Sequence, residues 1–563
     1  MKPYKRNTSA SCCKRLLRVA VLSPLCLFCS CLSEDPKGAL EEGQAYNNAT
    51  QLELSTVAPL YNYIGGHAES EGLQGTYRGV YDLNTFTTDE AMLPTRGGDW
   101  YDGGFWQNLY LHKWTASDGA FNNTWNYLYK VVMLCNSALS TLQANSLLLT
   151  EAQQRSYEAE VRCIRAMFYF YLMDLYGQIP LVTSSGTALE DVRQSERSKT
   201  FRFVFDELQT CAPLLSDAHS NLLGDNYGRM TRPVAYFLLA KLALNAEIYS
   251  DDDWTDSDTP DGSQIFFKVG GGESAGNSST LNAWETCIYY CDRLTDAGYT
   301  LETDYEANFA VHNETSKENI FTIPMDKYLY ANQFKNLFRS RHYSHGSAIG
   351  MDAENGSSAT VSTCNTYGYG TDDVDTRWDI NFYADLLLVD GNPVLLSDGT
   401  PLVYQPLEVC LDLTGSPYEK TAGARMAKYE IDLNAYADGA LQGNDIVLFR
   451  YADALLMKAE AKIRNGQDGS TELNQVRTRA GMPPIDLQAS TPDASLSTLL
   501  AERLRELMWE GWRRNDLIRF RLFHKAYDQR PQAADEQTAF TTVFPIPNAV
   551  IDHNANIRQN PKY

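Results

Sequence analysis

The sequence has no excess of positive charge, and past residue 31 it has neither a C-x-x-C pair nor a long apolar run. Lys and Arg number 48 against 71 Asp and Glu, a net charge of −23. That balance excludes a general nucleic-acid binder, which needs a basic surface. It also excludes docking on anionic lipid through a basic patch. Beyond the first thirty residues no stretch approaches the ~20 apolar residues that span a bilayer as a helix. Seven of the 12 cysteines lie beyond residue 31. An odd count without C-x-x-C spacing indicates neither a disulfide framework nor a zinc ribbon. Cys287 and Cys291, four apart on an expected helix, read as buried small hydrophobes.

Catalytic signatures are scarce as well. Neither H-E-x-x-H nor G-x-x-x-x-G-K-[ST] occurs, and no nucleophile elbow is expected. His342 and His345 have no nearby carboxylate to complete a metal site. Asp256, Asp258 and Asp261 resemble a calcium loop, but the glycine is displaced and no Glu closes it. They read as a solvated acidic turn, with adventitious calcium the most it would hold. Asp89 and Glu90 are sequence neighbours, which rarely face each other across a glycosidic bond. No cofactor and no metal are expected.

What is present begins with an address. Lys2, Lys5, Arg6, Lys14, Arg15 and Arg18 precede an apolar run over residues 19–30, with no acid among them. This is the pattern of a secretory signal over residues 1–30. Losing those six positive charges would take the net charge from −23 to −29. Leu27-Phe28-Cys29-Ser30-Cys31 resembles a bacterial lipobox, which would make Cys31 a lipid anchor. The alternative is an ordinary cleaved signal with an incidental cysteine. The acids just after Cys31 resemble a surface-export signal of Gram-negative lipoproteins.

The body reads as paired helices. Thr150 and Gln153 form a capping box, after which Val161, Ile164, Phe168, Tyr171 and Leu175 mark one helical face. Gly177 and Pro180 end that helix. Pro233 suits the first turn of another. Further helices are expected over 119–144, 200–215, 280–296, 448–465, 470–480 and 497–522. Neighbouring helices separated by short loops suggest stacked hairpins. Residues 325–445 are loop-rich, with short strands expected over 319–323, 408–413 and 428–431. Long ordered loops on a helical scaffold are where binding surfaces are built.

Several stretches together resemble the SusD/RagB family: residues 160–182, Gly228-Arg229-Met230-Thr231, residues 447–461, residues 502–517 and Pro545-Ile546-Pro547. The resemblance implies a mostly α fold, a tetratricopeptide-like superhelix of helix pairs with a loop-rich ligand-binding region and a few short strands. It implies one domain over 31–563, with helix pairs over about 31–250 and a C-terminal part over about 325–563. It also implies a cell-surface lipoprotein that captures oligosaccharide or polysaccharide and passes it to a SusC-like TonB-dependent transporter, without bond chemistry. A surface glycoside hydrolase and a peptide-capturing member of the same fold remain the alternatives. The signature helices read as structure: Arg162 and Arg165 as partners of acids between helices, and Glu510 as a partner of Arg514 along one helix.

Sugars present apolar C–H faces ringed by hydroxyls, which flat aromatics and planar amide, carboxylate or guanidinium groups can grip. The chain holds 34 Tyr, 22 Phe and 9 Trp, 65 rings in all. Asp99, Trp100 and Tyr101 sit in a glycine-flanked turn, and the resemblance implies an aromatic contact in this early loop. Trp106 reads as packed back on the first helices. Tyr328, Tyr330, Asn332 and Gln333 interleave rings with amides; Tyr367, Tyr369, Asp372, Asp373 and Arg377 repeat the pattern. Asn62, between two tyrosines, completes the set.

Overall fold

The computed structural model describes residues 46–66, 68–270 and 278–563. The expected signal over 1–30 and the lipid-anchor Cys31 lie outside the described residues. Asn47–Tyr563 form one compact unit.

Local chemistry sets the helix limits. In Glu151–Tyr176, the Gln153 amide N–H meets the Thr150 hydroxyl at 3.3 Å, and the Thr150 N–H meets the Gln153 side chain at 3.0 Å. Two free donors are thereby satisfied. Gly177 ends the helix at φ +72°, and a Cβ there would come within 2.6 Å of Trp254. Only glycine meets both demands. Every residue from Ala159 to Tyr176 except Arg162 is buried, because Glu151–Tyr176 is sandwiched between Gly119–Ala144 and Arg197–Cys211. A second stack places Ala283–Asp296 between Arg232–Leu244 and Tyr451–Arg464, the last also packing on Ser470–Arg479 and Pro492–Leu507. The fold is mostly α, built of helix pairs.

The described strands are short and occur in six antiparallel pairs. The most buried joins Asn319–Ile323 to Ile446–Arg450. Residues 446–450 are therefore strand, and the helix expected from 448 begins at Tyr451. Two expected strands are absent. Pro406–Glu408 is a 3-10 turn, and residues 409–413 form no ladder, only an isolated bridge of Asp412 with Thr95. Residues 428–431 are irregular, and the buried Lys428 ammonium there donates to Glu510 at 2.5 Å and the Met508 carbonyl at 2.8 Å. The helix expected over 497–522 is broken into Pro492–Leu507 and Arg513–Arg519 by Trp509 at φ +66° and Gly511 at φ +74°.

The break redirects charge. Glu510 does not pair with Arg514; it takes Arg450 at 2.7 Å as well as Lys428, while Arg514 reaches Asp174 at 2.8 Å. Arg162 and Arg165 share Glu207 between helices. Burying an ion is costly unless it is paired and hydrogen-bonded, and here Arg377, Arg450, Arg477, Arg479 and Lys428 face Glu318, Asp375, Glu502, Glu506 and Glu510. Burial alone would raise the Glu506 carboxyl. The guanidiniums of Arg479, Arg450 and Arg377 outweigh it and hold Glu506 well below the usual carboxylate range. The family signature over 502–517 is thus an interior clamp.

Candidate functional site

The Asp99–Trp100–Tyr101 stretch begins with a tight turn. Arg96 and Asp99 exchange backbone hydrogen bonds at 2.9 and 3.4 Å around Gly97 at φ +62° and Gly98 at φ +102°. Two successive positive φ values suit glycine. The turn is held from below by Arg96, whose fully buried guanidinium donates to Ser358 Oγ at 2.8 Å and the Ala422 carbonyl at 2.9 Å. Trp100 follows, itself at φ +62°.

A tryptophan in that backbone region carries strain of about 1–3 kcal/mol. Its ring is fixed accordingly. The indole Nε1 donates to the Glu354 carbonyl at 2.9 Å, and the ring meets Tyr77 and Trp106 edge-on at 6.4 and 6.2 Å. Gly356 leaves room beneath it: a Cβ there would fall 2.8 Å from the indole. Arg78 and Asp102, also at positive φ, both contact Trp106, and Asn355, likewise at positive φ, lies between Glu354 and Gly356 in the chain. Trp106 is 1% exposed and its Nε1 donates to Asp102 at 2.8 Å, so it belongs to the core.

Two open rings flank Trp100. Tyr101 is 54% and Tyr343 44% exposed. The Tyr343 hydroxyl donates to Asp99 at 3.1 Å, and Lys420 reaches the same carboxylate at 2.7 Å. Lys420's hydrogen bond draws the Asp99 carboxyl below its ordinary value. Burial raises the Glu354 carboxyl, which accepts from the Tyr77 hydroxyl at 2.5 Å. Arg78 bridges Glu69 and Asp102, each at 2.7 Å. The result is a bed of rings with a polar rim of both signs.

Asn62, Tyr330 and Asn332 converge elsewhere, on a cleft of about 250 Å³ between Ala49–Gly65 and the loop that follows Asn319–Ile323. Tyr61, Tyr227 and Arg229 also line it. The loop over 324–335 runs from this cleft to the ring bed, where Lys335 lies 5.0 Å over Tyr77. Tyr328, 76% exposed, stands against Tyr436 at 6.5 Å.

The third cluster does not join either place. Arg377 is fully buried and bound to Asp375, Glu502 and Glu506 at 2.6–2.8 Å. Its expectation as a ligand contact is corrected: Nε, Nη1 and Nη2 all donate to carboxylates in the interior. Tyr367 is buried too. Tyr369 stacks on Trp378 at 4.7 Å and donates to Asp385 at 2.7 Å. Asp372 and Asp373 are exposed.

Sequence reading missed Tyr77, Arg78, Tyr343, Glu354 and Lys420. Lys420 and Tyr343 reach the bed from distant segments with no local pattern to announce them.

No group of residues fit to hold a metal occurs among the described residues. His342 accepts from the Ser344 N–H at 3.0 Å, and burial lowers its ring to about 4 and that of His345 to about 3. Asp256 and Asp261 accept backbone N–H groups of their own turns. Asp89 pairs with Arg513 at 2.6 Å while Glu90 accepts from the Trp509 N–H at 2.6 Å, so the two carboxyls serve different partners. One G-x-S-x-G spacing does exist, over residues 272–276. It lies outside the described residues, between the hairpin strands Phe266–Val269 and Ser279–Asn282, where a nucleophile elbow would join strand to helix.

The SusD family profile matches residues 317–563, and a profile described as starch-binding associating with outer membrane matches residues 71–244. The starch-binding protein SusD of Bacteroides thetaiotaomicron is 22% identical over 546 residues, covering 88% of this chain and 87% of that protein. A SusD homolog of the same species superposes with a TM-score of 0.69 at 19% identity, over 94% of this chain and 100% of the other. The surface glycan-binding protein A of Bacteroides uniformis gives 0.66 at 18%, over 91% and 99%. A laminarin-binding SusD-like protein gives 0.65 at 18%, over 92% and 100%. With matches of this kind at both ends of the chain and the same helix-pair fold throughout, the chain belongs to the SusD family.

Proposed function

We propose that this protein captures glycans on the ring bed of Trp100, Tyr101 and Tyr343, without catalysis and without a metal or cofactor. The observation that carries the reading is the fixing of Trp100. An indole held at φ +62° by its N–H bond to Glu354 and by the space over Gly356 is already oriented before a ligand arrives. Preorganisation removes part of the ordering cost of binding. The flanking tyrosines offer apolar faces, and Arg78, Asp99 and Lys420 supply hydrogen bonds to hydroxyls at the edges.

Capture in place of cleavage is supported by the state of the nearby acids. Hydrolysis needs one carboxyl as proton donor and another as base or nucleophile across the bond. Here Asp99 is committed to Lys420 and Tyr343, and Glu354 to Tyr77. In this reading Cys31 carries the lipid that holds the protein on the outer membrane, facing outward. The captured chain passes to a SusC-like TonB-dependent transporter. The names of the relatives support a glycan as cargo.

The test is calorimetric titration of the lipid-free protein against oligosaccharides and peptides, with a reducing-sugar assay alongside. Saturable glycan binding with no new reducing ends is the expected result. Turnover, or binding of peptides alone, would overturn it.

A further inference from the structure

The cleft at Asn62 and Tyr330 is separate from the ring bed and differs from it in kind. The bed is open; the cleft is narrow, closed at its inner end and capped at its mouth by two exposed side chains. We propose that it is a second carbohydrate subsite, which takes one uncharged sugar ring from the end or branch tip of a glycan. The inference rests on the glycan capture proposed above and adds a second point of contact.

Three features carry it. The first is size. About 250 Å³ falls below the ~300–1,000 Å³ of pockets that enclose drug-sized ligands, which suits one ring and excludes an oligosaccharide. The second is charge. Arg229 is the cation of the cleft, and it is spent on Glu160 at 2.7 Å and Glu53 at 2.7 Å. An anionic sugar would find no free cation, and the desolvation of its carboxylate would go uncompensated. A neutral ring meets no such cost.

The third is which polar groups are left over. The inner wall is fully engaged: the Tyr61 hydroxyl donates to Glu160 and accepts from the Met230 N–H, and the Tyr227 hydroxyl donates to Asp445 at 2.7 Å. The mouth is not. Neither the Asn62 side-chain amide nor the Tyr330 hydroxyl hydrogen-bonds another described residue, and Asn332, whose amide donates to the Pro324 carbonyl at 2.9 Å, keeps its oxygen uncommitted. An amide and a hydroxyl therefore stand free at an entrance whose walls are Leu54, Val57 and Pro324, while the Asn332 side chain packs over Gly65. That is an apolar socket with a hydroxyl-reading rim. The Tyr61–Glu160–Arg229 cluster stands at the inner end, so a sugar enters from the mouth, and the volume holds one ring, which favours the free end or branch tip of a glycan.

The experiment is saturation-transfer NMR with the methyl glycosides of glucose, galactose and mannose, and with glucuronic acid. Wild type, Asn62→Ala, Tyr330→Ala and Trp100→Ala are compared. Both cleft substitutions are at exposed positions, so the fold should survive; circular dichroism checks this. At least one methyl glycoside should show saturation transfer to wild type and to Trp100→Ala. Its affinity should weaken tenfold or more in Asn62→Ala and Tyr330→Ala, and glucuronic acid should not compete. No transfer from any methyl glycoside, or a signal lost in Trp100→Ala and kept in both cleft variants, would overturn the subsite. Failure of the ring bed reads differently: oligosaccharide affinity would be unchanged in Trp100→Ala whatever the monosaccharides do.

Discussion

Trp100→Ala has more to lose in binding than in fold. The ring sits at the surface on a turn whose geometry is set by Gly97, Gly98 and the buried Arg96. Removing it forfeits one hydrogen bond to Glu354, worth about 1 kcal/mol, and two edge contacts to Tyr77 and Trp106. Alanine remains at positive φ, so the backbone strain is not relieved. The stability loss should therefore be about 1–2 kcal/mol. For binding, truncation of a central aromatic anchor costs about 2 kcal/mol or more. That is about thirty-fold in Kd. Calorimetry with an oligosaccharide that saturates the wild type measures it, with circular dichroism as the fold control. An affinity within twofold of wild type, in a folded variant, would refute the argument that this ring is the platform.

Gly356→Ala tests the same point without touching the ring. A Cβ 2.8 Å from the indole and 3.0 Å from the Arg339 carbonyl must displace the ring, so glycan affinity should drop several-fold while Trp100 remains. Arg377→Gln removes the partner of three buried carboxylates. Breaking such a cluster costs about 3–5 kcal/mol, read as a lower denaturation midpoint, with glycan affinity unaltered in the fraction that folds. Glu90→Gln should stabilise the protein in mild alkali. Burial pushes the Glu90 carboxyl from 4.5 up to about 8, so the folded state binds a proton more tightly than the unfolded chain. That makes stability fall as pH rises between those values. Glutamine keeps an acceptor for the Trp509 N–H and loses the penalty. The melting temperature of the variant should exceed wild type at pH 8 and match it near pH 4.

The opposite sign holds for Glu536. Burial raises its carboxyl, but His112 and Arg530 more than offset that and hold it at about 2. Its stabilisation is complete above the ordinary 4.5 and is lost as pH falls toward 2. Thermal melts should show the protein losing stability steeply over that acid range.

Local chemistry accounts for what the sequence could say. Helix limits follow from contacts within a few residues: Thr150 with Gln153, Gly177 at positive φ, Pro233 in a first turn. Those were legible, and so was the turn before Trp100 and Tyr101, which Gly97 and Gly98 announce. Where a residue's partner is distant, its type carried no information about its role. Arg377 has the composition of a sugar contact and the environment of a core ion, since Glu502 and Glu506 arrive from a helix more than a hundred residues away. Glu510 and Arg514 have helical spacing, yet the chain breaks at Trp509 and Gly511 and sends each to a buried partner elsewhere. Only the tertiary structure decides such cases, because the fold alone brings each buried charge its partners: carboxylates to Arg377 and Arg514, cations to Glu510, carbonyl oxygens to Arg96. The same holds for the two places where rings collect. The sequence by itself determined that rings and amides alternate in the loops; packing decided that Asn62, Tyr330 and Asn332 line one cleft while Trp100, Tyr101 and Tyr343 gather around Asp99.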